Sequence, residues 1–231
     1  MAENATIKGG VVMRSISGNS RRATLDFDLD FIRYSLSDDS IIKFVNKLDC
    51  IDNLTIKLNG AIAELNHQDY KGKRIYLSIT DKENTVISVK LDIGVHGDLS
   101  IDQTEYSFDL GFQEDSVSLL INSPAQMITE KIKSIIRFGS RNTRHKDVFD
   151  ICYLGDLADA EQLKNCIQKY ILDDPTLRNI SNIADVINRV ERVFINDNYL
   201  KELRISNKNW LDISIEEVLE KDLELLKGIA L

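Results

Sequence analysis

The segment Arg22-Ala23-Thr24-Leu25-Asp26-Phe27-Asp28-Leu29-Asp30-Phe31 decides how the chain is read. Leu25, Phe27, Leu29 and Phe31 alternate with Asp26, Asp28 and Asp30. That period of two puts successive side chains on opposite faces of a strand. One face is expected to be apolar and the other acidic. Two carboxylates side by side repel, and a hard divalent ion such as Mg²⁺ relieves the repulsion while leaving coordination positions for substrate phosphates. Taken alone, an Asp-x-Asp describes a solvated strand face just as well. Asp30 is expected to be solvated or to support the pair from behind rather than to ligate.

Upstream, Gly9-Gly10 sits sixteen residues before Asp26. Adjacent glycines let backbone N–H groups approach a phosphate that a side chain would block, although a Gly-Gly pair by itself is most often a turn. Downstream, a helical stretch runs from about Ser37 to Leu48. Strand patterns follow at Leu54 to Leu58, Arg74 to Thr80, Val86 to Val95, Tyr106 to Phe112 and Ser116 to Ile121. Asp81-Lys82-Glu83-Asn84 reads as the hairpin loop between two of these.

The pattern changes at Ser123-Pro124. Serine at the cap, proline at the first helical position and Gln126 three residues after the cap mark a helix start. Asp159 with Gln162 and Ser214 with Glu217 repeat the signal, and Met127, Ile128, Ile132, Ile135 and Ile136 recur at helical spacing. Strands followed by helices predict an α+β protein, with residues 1–122 as an α/β core and residues 123–231 as a helical domain.

Asp92, in Val89-Lys90-Leu91-Asp92-Ile93, lies in a later strand among apolar positions. It is the expected third ligand if metal is bridged, and an ordinary strand residue otherwise. In the helical half, Asp147 and Asp150 are three apart on one helix face. Lys133, Arg137, Arg141, Arg144 and Lys146 make this the most basic stretch of the chain. Lys131 suits a triphosphate contact, against the ordinary alternative of a lysine snorkelling along a helix surface. His145 has no partner at ligand spacing and reads as a surface or phosphate-near residue.

With 231 residues and 43% hydrophobic content the chain can bury a sizeable core. A net charge of −8 argues against a surface that clings everywhere to nucleic acid, while a local basic stripe can still bind phosphates. Cys50, Cys152 and Cys166 have no metal-ligand spacing, so reduced core thiols are expected, with neither zinc nor disulfide. No apolar run approaches the roughly 20 residues of a membrane span. With no signal-peptide pattern, a cytoplasmic location and no membrane partner are expected.

In order and spacing, Lys8-Gly9-Gly10, Arg22-x-Thr24-x-Asp26-x-Asp28, Asp92, Glu130-Lys131 and Lys146-Asp147-Val148-Phe149-Asp150 resemble the AbiEii/AbiGii-type nucleotidyltransferase toxin family. The resemblance covers roughly residues 7 to 155. It implies a polymerase-β-like nucleotidyltransferase core with a mixed sheet, followed by a helical C-terminal domain. It further implies a toxin of a toxin–antitoxin or abortive phage infection system, with a cognate antitoxin as partner. Transfer of a nucleotide from an NTP to the tRNA 3′ end or another RNA, with Mg²⁺ or Mn²⁺ as cofactor, would be its activity.

On that resemblance Asp26, Asp28 and Asp92 hold metal, Lys131 contacts the triphosphate, and Asp147 and Asp150 complete the catalytic set. Lys8, Gly9, Gly10, Arg22 and Thr24 fall at the nucleotide, and Arg137, Arg141, Arg144 and Lys146 are the candidate acceptor contacts. Three departures stand out: few residues precede Lys8, Lys146 replaces a common arginine, and Asp30 adds a charge. A nucleotidyltransferase of a small-molecule or protein hydroxyl, or an idle nucleotide-binding module, would share the same fold.

Overall fold

The structure, a computed structural model, describes residues 4–24, 26–65, 72–95, 103–109 and 117–229. The chain divides into two compact units, Met1–Asn122 and Ser123–Leu231.

In the first unit the described strands are β1 (Ala5–Lys8), β2 (Asp26–Phe31), β3 (Leu54–Leu58), β4 (Ala63–Leu65), β5 (Gly72–Asp81), β6 (Val86–Val95), β7 (Thr104–Phe108) and β8 (Val117–Ile121). They form one mixed sheet in the order β3-β5-β6-β2-β1-β8-β7, with β4 also paired to β5. The β2–β6 and β1–β8 pairs are parallel and β1–β2 is antiparallel. Helices α1 (Gly10–Ser17) and α2 (Asp38–Leu48) complete this unit. Leu25, residues 110–112 of the expected Tyr106–Phe112 strand, and Ser116 lie outside the described residues.

The alternation in β2 builds its core. Leu29 and Phe31 are buried beside Ile7, Ile75, Leu91 and Ile93, and Val12, Met13, Ile41 and Val45 from the two helices are buried as well. Burial of each such side chain is worth about 1.5–3 kcal/mol. The β5–β6 hairpin closes where expected. Asp81 Oδ1 accepts from the Glu83 and Thr85 amides, both at 2.8 Å, and Asn84 takes the left-handed conformation at φ 62°. The α1 helix carries no conventional start signal, since its N-cap is Gly9 with no capping side chain.

The second unit is helical: α3 (Pro124–Phe138), α4 (Lys146–Gly155), α5 (Ala160–Ile167), α6 (Ile183–Phe194), α7 (Asp197–Ile205) and α8 (Ile215–Ile229). Every expected start is a real cap. Ser123 Oγ accepts from Gln126 N at 3.2 Å, Asp159 from Gln162 N at 2.8 Å and Ser214 from Glu217 N at 3.1 Å. No helix is long and apolar enough to cross a membrane among the described residues.

All three cysteines are free. The expectation that all are core thiols fails for Cys50, which is exposed just past the end of α2; Cys166 is buried and Cys152 half-buried.

Candidate nucleotide site

The first unit assembles its candidate residues through sheet register. Lys8 on β1 pairs with Asp28 on β2, Asp28 pairs with Asp92 on β6, and Asp92 pairs with Arg74 on β5. Directly opposed residues put their side chains on the same face of a sheet. The row Lys8–Asp28–Asp92–Arg74 therefore runs across four strands with charges plus, minus, minus, plus. The next row places Asp26 beside Lys90 and Tyr76. None of this lateral order can be read along the chain.

The glycine pair sits directly on that face. Gly9 has φ 73°, a region that side chains rarely adopt, and a Cβ there would collide with Asp28 Oδ2. A Cβ on Gly10 would come within 2.5 Å of Thr24 Cβ. Both glycines are thus required by close approach of the chain to Thr24 and Asp28. The turn leads into α1, whose N-cap residue, Gly9, has no side chain with which to cap it. Thr24 Oγ1 accepts from the Asp26 amide at 3.3 Å and tethers the entry to β2.

Several side chains differ from expectation. Asp30 is buried, at 5% exposed, because the Lys8 ammonium lies 2.7 Å from its Oδ2. Its role is to balance Lys8 rather than to meet solvent. Asp92 receives Arg74 in a fork, Nε to Oδ1 and Nη2 to Oδ2, both at 2.7 Å. No group of three His, Cys, Asp or Glu side chains is arranged to hold a metal ion among the described residues. Asp92, the expected third ligand, thus has both carboxylate oxygens taken by the Arg74 guanidinium. Asp26 is exposed and pairs with Lys90 at 2.6 Å. Arg22, expected at the nucleotide, is buried at the end of a short 3₁₀ turn.

The second unit brings three expected residues together. Lys131 Nζ lies 3.0 Å from Asp147 Oδ1 and 2.8 Å from Asp150 Oδ2. Burial pulls its pKa down, but the two carboxylates outweigh burial and leave it raised. Lys131 is an enclosed cation and does not snorkel. Asp150 is fully buried, and the indole of Trp210, which sequence reasoning missed, donates to its Oδ1 at 3.0 Å. The signal for Trp210 was only that the chain has a single tryptophan. Asp147 Oδ2 lies 3.3 Å from Arg144 Nε without the alignment of a hydrogen bond.

The basic stretch is partly spent inside the fold. Arg137 donates to Thr176 Oγ1 at 2.9 Å and, with Lys133 at 2.6 Å, balances Asp174. Arg144 is drawn to Asp147, while Arg141 is exposed and Lys146 half-buried. His145 packs edge-on against Tyr199 with ring centroids 5.9 Å apart, and burial lowers its pKa. It packs on Tyr199 while staying partly exposed.

A comparison with curated proteins gives no match. The family model described as "Nucleotidyl transferase AbiEii toxin, Type IV TA system" matches residues 1–221. The chain belongs to the AbiEii family of nucleotidyl transferase toxins of type IV toxin–antitoxin systems.

Proposed function

We propose that this chain transfers a nucleotide from an NTP to an acceptor hydroxyl on the face of the first unit that carries Asp26 and Asp28. The observation that carries the reading is the seat of Gly9 on Asp28. It sets a backbone stripped of side chains, opening into a helix, against a carboxylate pair. Backbone N–H groups at a helix start favour phosphate, and the carboxylates favour the cation that accompanies a triphosphate. We read the unit as a polymerase-β-like core on this arrangement.

The pair suits a cation through its donors: Asp26 and Asp28 are hard carboxylates two residues apart on one face of β2. Asp26 and Asp28 would hold Mg²⁺ or Mn²⁺, with Asp92 left to Arg74. The ion would polarise the α-phosphate and offset its charge as the acceptor hydroxyl attacks and pyrophosphate leaves. Lys8 and Lys90 keep the acidic face near neutrality, so a triphosphate is not repelled. In the second unit, Asp147 and Asp150 hold the Lys131 ammonium between them and keep it charged. The in vivo role would be a toxin in abortive phage infection, held in check by a cognate antitoxin.

The proposed acceptor is the tRNA 3′ end. One observation favours the second reading, a small-molecule or protein hydroxyl: Arg137 already faces the Asp174 carboxylate and donates to Thr176. The test incubates the purified chain with total RNA, protein extract and each α-labelled NTP in Mg²⁺. Label in tRNA supports the first acceptor, label in protein or a small product supports the second, and no label with any NTP rejects transfer.

A further inference from the structure

The Arg74–Asp92 pair is unlike the other ion pairs of the first unit. Lys8–Asp30 and Lys90–Asp26 are contacts from ammonium groups, which fix no plane. Arg74 is held in a two-point fork, which fixes the plane of the guanidinium as well as its position. The fork uses Nε and one N–H of Nη2. The two N–H groups of Nη1 and the second of Nη2 are not engaged by any described residue. The Arg74 side chain remains 34% exposed while Asp92 is 13% exposed. Arg74 stands in the same cross-strand row as Asp28, two strands away, or about 10 Å between backbones. Its side chain also feels the Asp26 carboxylate, which helps keep it protonated after Asp92 itself.

We propose that Arg74 is a phosphate-binding residue for the triphosphate and that Asp92 is its positioning residue rather than a metal ligand. This rests on the nucleotide-transfer reading of the same face. A guanidinium with one edge pinned by a carboxylate offers its other edge to a second oxyanion at no further ordering cost. Lys8 stands at the opposite end of the row, so Asp28 and Asp92 are bracketed by two cations. Mere neutralisation of Asp92 would need no fork, since an ammonium supplies the same charge.

The experiment is a double-mutant cycle read by binding of Mg–tripolyphosphate and of each of the four NTPs, with melting curves to confirm folding. Arg74→Gln should weaken every ligand about tenfold or more, irrespective of base, because the lost contact is to phosphate. Arg74→Lys should recover only part of that loss. Asp92→Asn should weaken binding less, and the double variant should bind no worse than Arg74→Gln, because Asp92 acts through Arg74. Three results overturn the proposal. Wild-type affinity in Arg74→Gln removes the phosphate contact. Recovery of affinity in the double variant shows that Arg74 only balanced Asp92. A double variant far weaker than Arg74→Gln, with a raised Mg²⁺ requirement, returns Asp92 to the metal. A wild-type chain that binds none of these ligands removes the nucleotide reading itself, and the proposal with it; wild-type binding with an indifferent Arg74→Gln removes the proposal alone.

Discussion

Trp210 donates its indole N–H to Asp150 Oδ1 at 3.0 Å, from a loop sixty residues further along the chain. The same carboxylate receives Lys131 on its other oxygen at 2.8 Å, so tryptophan, carboxylate and lysine form one buried chain. Trp210→Phe keeps a ring in place but removes the donor, and should cost about 1–3 kcal/mol, read as a lower melting temperature. Lys131→Met should cost more, about 3–5 kcal/mol, because Asp147 and Asp150 lose the cation between them. Equal small losses from both would show that the carboxylates rely on other partners.

Asp28 is the residue on which the nucleotide reading turns. Asp28→Asn keeps the shape under Gly9 while removing the charge, and should lower nucleotide transfer by at least about a thousandfold with little change in melting temperature. Asp26→Asn should act alike on transfer, since its exposed pair with Lys90 contributes little to stability. Near wild-type transfer by a folded Asp28→Asn protein would end the claim.

The features legible in the sequence were the local ones. The caps at Ser123, Asp159 and Ser214 need only three residues of context, and the β2 alternation declares its buried face by itself. Lateral order is different in kind. That Asp92 meets Arg74, or that Lys8 meets Asp30, depends on which strands pair and in what register, and no periodicity carries that information. The α1 helix was missed because glycine at its N-cap serves close packing on Asp28 rather than capping. Arg137 was read as an outward basic residue because its partner, the loop at Asp174, lies thirty-seven residues away in the sequence.

That loop gives a pH prediction. Burial alone would raise the Asp174 pKa, but Lys133 and the Thr176 side chain and amide outweigh it and bring it from 3.8 down to about 2. A depressed carboxylate contributes stability that is present above its unfolded pKa and lost as pH falls through the folded one. The contribution, roughly 2 kcal/mol before solvent screening, should therefore disappear between about pH 4 and pH 2. Asp174→Asn should be less stable than wild type at pH 7 and nearly equal to it at pH 2. A stability gap unchanged across that window would show that the ion pairs with Lys133 and Arg137 are inert.

The thiols divide by exposure. Cys50 should react with a thiol reagent at pH 8 as soon as it is mixed, whereas Cys166, whose pKa burial pushes up to about 11, should wait for unfolding. Excess dithiothreitol should leave the melting temperature unchanged, because every cysteine is already free. Rapid labelling of all three under native conditions would mean that the helical unit opens far more readily than its core implies.

Asp222 on α8 is 2% exposed and neither carboxylate oxygen has a hydrogen-bond partner among the described residues. Burial raises its pKa well above the usual carboxylate range. An acid raised in the folded state binds more protons there than in the unfolded chain, so stability is greatest below the unfolded pKa near 3.8 and falls as pH rises toward the folded value. Asp222→Asn removes the charge and with it this slope. The variant should tolerate more urea than wild type at pH 8 and about the same at pH 4. A second readout follows from Cys152, whose thiol is pushed to about 11 first by burial and then by Asp222. With the carboxylate neutralised, the Cys152 thiol should ionise at lower pH and react faster with a thiol reagent above pH 9. A variant that is less stable than wild type at pH 8 would mean that Asp222 is charged in the native state and held by a partner.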